Sequence, residues 1–167
     1  MFDRIRQAFS GIDSLSVDRD GNQIDNDLRL ATAVIVLGVA QADGAYSAEE
    51  GKTIFKSLEK EFALTPDSIH RLLAVAEQNV GGRERMADFI STINEHFDDV
   101  QKQRIMAMVW RVISADGFTS ERESQLAVEL RERLNLTMEQ ALRARRLAEE
   151  GVDLTKEEIE PLRPGEE

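Results

Sequence analysis

Ala42-Asp43-Gly44-Ala45-Tyr46-Ser47-Ala48-Glu49-Glu50 is followed, 73 residues further on, by Ala115-Asp116-Gly117-Phe118-Thr119-Ser120-Glu121-Arg122-Glu123. Both stretches carry the same local instructions. An apolar helix runs into Asp-Gly, a turn pair in which glycine supplies a positive φ and aspartate bonds to nearby backbone. A Ser-x-x-Glu capping box then restarts a helix. Its serine oxygen accepts a first-turn N–H, and its glutamate reaches back to the serine's own N–H. After one deletion the match continues at a spacing of 72: Ile54 with Leu126, Leu58 with Leu130, Phe62 with Leu134, and Leu64-Thr65 with Leu136-Thr137. Upstream, Val36 and Leu37 align with Val109 and Trp110. The repeated unit is three helices with two capped starts, present twice.

Apolar residues recur at helical spacing nearly everywhere, and no segment alternates with period two. A first core helix is predicted from about Asp27 to Asp43, apolar on most sides through Val34, Ile35, Val36, Leu37 and Val39. Further starts are predicted at Ser47, at Thr65-Pro66 (threonine as cap, proline in the first turn), near Asp98 or Asp99, at Ser120 and at Thr137-x-x-Gln140. Met86, Phe89, Ile90, Ile93 and Phe97 mark one more helix after Gly81-Gly82. The predicted fold is therefore all-α, a compact bundle of seven to eight helices with an internal pseudo-repeat. Residues 1–24 read as an N-terminal helix and polar loop, 25–150 as the helical domain, and 151–167 as a short C-terminal extension and tail. Phe2, Ile5, Phe9 and Ile12 share one helical face, more simply docked on the domain than laid on a membrane.

Length suits one domain with its own core. The formal charge of −11 argues against nucleic acid, whose phosphates demand a basic surface, and against an anionic membrane surface. Cations, or the basic face of a protein partner, are what such a charge attracts. The chain has no cysteine, which excludes thiolate sites and fits a reducing cytoplasm, the expected location. No transmembrane segment is expected, since Leu30 to Ala42 falls short of the roughly 20 apolar residues a spanning helix needs.

Asp43 and Asp116 each stand at a helix C-terminus, where the dipole disfavours a carboxylate by roughly 0.3–1 kcal/mol. Two explanations account for that cost being met twice. Each aspartate can serve only its own turn. Alternatively, Asp43 with Glu50, and Asp116 with Glu123, converge on a hard divalent cation (Ca²⁺, Mg²⁺ or Mn²⁺) that takes oxygen ligands. Pseudo-symmetry would then bring four carboxylates together on one acidic surface. A capping-box glutamate is already engaged, which weighs toward the first explanation. Asp18-Arg19-Asp20-Gly21-Asn22 opens like a calcium loop, but the pattern fails at its sixth position and at Leu28, so a plain loop is expected. His70 and His96 lack metal-spaced partners. Trp110 falls on a buried stripe, and Arg143, Arg145 and Arg146 read as a solvated helix face. No catalytic motif is present, and no enzyme is expected.

The paired Ala-Asp-Gly turns, each followed by Ser-x-x-Glu and the second preceded by Trp110, resemble the TerB-like, tellurite-resistance-associated domain over about Leu28 to Ala148. The resemblance implies an all-α bacterial module associated with resistance to tellurite and other chemical stress. It also implies divalent-cation binding by the shared acidic residues. Arg122, where the first copy has Glu49, departs from the repeat. The function expected is a non-enzymatic stress module binding a divalent cation through the duplicated loops. The alternative is a protein-interaction domain with an acidic docking face and no metal.

Overall fold

Side chains that cap helices write most of the element boundaries. In the computed structural model, which describes residues 15, 17–42, 46–115, 117 and 120–150 (backbone alone at 82–84, 147, 149 and 150), seven helices follow one another. They are α1 (Asn26–Ala40), α2 (Ala48–Phe62), α3 (Pro66–Asn79), α4 (Gly82–His96), α5 (Asp99–Ile113), α6 (Glu121–Arg133) and α7 (Met138–Glu150). Among the described residues there is no strand, only an isolated bridge between Val17 and Gln23. The all-α reading of the sequence is the fold observed. The predicted N-terminal helix and the C-terminal extension lie outside the described residues.

Capping boxes form at Ser47/Glu50, Asp98/Gln101 and Ser120/Glu123, and Thr65 caps α3 with proline in the first turn. Thr137 and Gln140 exchange the same reciprocal pair of bonds, at 2.9 and 3.1 Å. The repeat reaches further upstream than its apolar residues reveal. Asp25 caps α1 as Asp98 caps α5, 73 residues apart, and Ile24 and Phe97 just before them are both buried. At the other end of the unit, Ala63 and Asn135, 72 residues apart, both take the left-handed conformation (φ 52° and 58°).

The packing repeats as the sequence does. α3 packs on α1 and α7 on α5; α2 packs on α1 and α6 on α5. The two units clasp, since α1 meets α5, α2 crosses onto α5, and α6 crosses onto α1. Helix α4, between the copies, lies on α1. The first helices of the units thus form the centre, which is why α1 is apolar on most sides. Every residue of α5 from Gln101 to Trp110 is buried, polar ones included. One of those polar residues, Arg104, forms a buried ion pair with Glu61 of α2, with nitrogen–oxygen distances of 3.0 and 2.7 Å.

The segment before α1 is more firmly anchored than a polar loop. Leu15 is fully buried and its N–H donates to Glu61. Arg19 donates to the carbonyls of Asn94 and Phe97, and Gln101 reaches the carbonyl of Val17. The Asp18 carboxylate accepts the N–H groups of Asp20 and Asn22, closing its own turn as a plain loop does. Arg145, expected on a solvated face, lies over the Trp110 ring at 4.4 Å, a cation–π contact.

Candidate metal centre

The two Asp-Gly turns are entered by matching backbone. Gln41 N–H donates to the carbonyl of Leu37 and Ala42 N–H to that of Val39; Ser114 and Ala115 repeat both bonds to Trp110 and Val112. Asp43 and Asp116 themselves lie outside the described residues, as does Phe118. Gly117 has φ +79°, the backbone that the Asp-Gly pair predicts. Tyr46, beyond the first turn, packs against Gly51 and donates its hydroxyl to Glu77 of α3 at 2.9 Å. Burial, with the Glu77 carboxylate beside it, raises the Tyr46 pKa above its ordinary value.

Glu50 and Glu123 are placed with the same local geometry. One oxygen of each, Oε1, accepts the N–H of its cap serine at 3.2 Å, and each cap serine accepts the glutamate's N–H at 3.1 Å. Both residues are buried, at 5% and 6% exposure, rather than sitting on an acidic surface. Because α2 and α6 start at pseudo-equivalent places, the two carboxyls meet, close enough to share a hydrogen bond. The second oxygen of each, Oε2, is buried and has no hydrogen-bond partner. Burial raises the Glu50 pKa; the Ser47 bonds oppose this, and the charge of Glu123 adds to it.

Burying an unpaired carboxylate oxygen costs free energy, and facing it with a second carboxylate costs more. Capping uses only one oxygen of each glutamate, so it leaves the other available. The conflict that the sequence poses between cap and ligand therefore disappears: one carboxylate serves both. Among the described residues there is no cluster of three or more metal-ligating side chains, so the site described is a pair. His70 stacks on Phe55, with ring centroids 5.0 Å apart, and has a packing role instead.

The family model of the tellurite resistance protein TerB matches residues 29–146, which include both turns and both glutamates. The chain belongs to the TerB family. No curated protein and no solved structure matches it. Within this TerB domain, the matched residues take in α2 to α6 whole and most of α1 and α7. No helix among the described residues is long and apolar enough to cross a membrane.

Proposed function

We propose that this TerB domain is a non-enzymatic, cytoplasmic stress-response module that binds one hard divalent cation between its two repeats. Glu50 and Glu123 hold the ion through their Oε2 atoms, and Asp43 and Asp116, each seven residues earlier in the chain, add further carboxylate oxygens. The observation that carries this reading is the pair of apposed, buried, partnerless Oε2 atoms. An all-oxygen ligand set selects Ca²⁺, Mg²⁺ or Mn²⁺ over softer metals. The ion supplies the positive charge that two buried carboxylates need. Because each ligand also caps a helix start, binding clamps the two repeats together at α2 and α6.

Thermal unfolding with EDTA, and then with each of the three ions, tests the proposal. An ion at 100 times its dissociation constant adds about 2.7 kcal/mol if it binds only the folded state. The expected result is a shift for at least one ion that is lost in Asp43→Ala and in Asp116→Ala. Unchanged unfolding with all three ions would sink the proposal. It would favour the second reading, for which the net charge of −11 speaks: an acidic docking face for a basic protein.

A further inference from the structure

On the far side of the α2–α5 contact from the core lies a cleft of about 200 Å³ whose lining is basic in a strongly acidic chain. Lys56, Ser57 and Lys60 of α2 face Arg104 and Arg111 of α5 across it, and Glu61 is its one acidic lining residue. Glu61 is committed to Arg104, in a pair whose side chains are 9% and 2% exposed. Four cations against one anion leave this concavity positive.

The other copy of the repeat shows that folding alone does not require this lining. The pseudo-equivalent groove, between α6 and α1, places Val128 and Glu132 where Lys56 and Lys60 stand, and Ala31 and Gly38 where Arg104 and Arg111 stand. None of the four cations is repeated. That groove is closed by α4, whose Met86 lies against Gly38, and only about 40 Å³ remains open. A helix C-terminus welcomes a cation and accounts for Lys60 and Arg111, each in the last turn of its helix. It does not account for Lys56 or Arg104. One face of the pseudo-symmetric pair is apolar and filled; the other is cationic and concave.

We propose that the α2–α5 cleft is an oxyanion site that takes a phosphate group. Lys56, Lys60 and Arg111 supply the charge and the donors, and the Ser57 hydroxyl supplies a neutral donor. The Glu61–Arg104 pair forms the floor and holds the guanidinium in place. Arginine and lysine around a small concavity suit a phosphate's several acceptor oxygens. The cleft volume matches a phosphate with a small group attached. The proposal is independent of the cation site, because no residue is shared between them.

The test is titration of the full chain with inorganic phosphate in EDTA, followed by backbone amide NMR shifts. A second arm measures flotation with vesicles containing phosphatidic acid, which separates a free phosphate from a lipid headgroup. The expected result is saturable binding with shifts confined to α2 and α5, weakened at least tenfold in Lys56→Ala/Lys60→Ala. The two lysines are exposed, so the double variant should unfold at the parent temperature, and Arg71→Ala on α3 should bind as the parent does. Binding in either arm that is lost in the double variant supports the site. Absence of saturable binding in both arms, or equal affinity in the double variant, overturns it.

Discussion

Replacing Glu50 by glutamine has two consequences of opposite sign. Glutamine is accepted at this position of a capping box, so its Oε1 continues to accept the Ser47 N–H. Its amide nitrogen then occupies the place of Oε2 and donates to the partnerless Oε2 of Glu123. A hydrogen bond to a charged group contributes about 1.5–3 kcal/mol. Losing a carboxylate from the first turn of α2 costs about 0.3–1 kcal/mol through the helix dipole. The balance is a gain of about 1–2 kcal/mol for the ion-free protein. At roughly 2–4 °C per kcal/mol for a domain of this size, Glu50→Gln should melt about 2–8 °C above the parent in EDTA. With saturating ion the order should reverse, because the variant has lost a charged ligand that the parent keeps. Circular dichroism at 222 nm, with and without ion, reads both effects. A Glu50→Gln protein that melts below the parent in EDTA would refute the reasoning, since the carboxylates would then not be in conflict.

Three further outcomes follow from the same geometry. Glu61→Ala leaves Arg104 buried without its carboxylate and should cost about 3–5 kcal/mol in urea unfolding; a loss under 1 kcal/mol would mean that water already reaches the pair. Ala63→Gly relieves a left-handed backbone at an exposed position and should stabilise by about 1 kcal/mol, read as a higher urea midpoint at constant slope. The Glu50 pKa lies above its ordinary 4.5 in the folded protein, so its contribution to stability is fully present below 4.5 and is lost as pH rises through the folded value. The melting-temperature advantage of Glu50→Gln in EDTA should therefore shrink as pH falls from 7 toward 4.5; an advantage that grows would contradict the sign of that shift.

Helix starts are legible in this chain because a cap is local chemistry: Ser47, Thr65-Pro66, Asp98, Ser120 and Thr137 each act within three residues of themselves. Stops are less so. The first core helix reads as continuing to Asp43, but α1 ends at Ala40, where the Gln41 N–H is shared between the carbonyls of Leu37 and Val39. No glycine or proline announces that tightening. Arg19, Gln101 and the Glu61–Arg104 pair were invisible for a different reason. Their partners lie 43 to 84 residues away, and the pattern of apolar residues marks charged positions as solvent-facing. The meeting of Glu50 and Glu123 sits between these cases. Duplication puts the two glutamates at equivalent positions, and equivalent positions beside a pseudo-twofold axis meet. Their burial is the part that required three dimensions.

The double duty of the capping glutamates also bears on how such domains are compared. A relative that had lost its ion would still be selected to keep Ser-x-x-Glu, because without it α2 and α6 lose their reciprocal caps. Retention of those glutamates therefore carries little information about ion binding. The aspartate of each Asp-Gly turn has no such second employment in a capping box, and its loss or retention is the better marker of which family members still hold a metal.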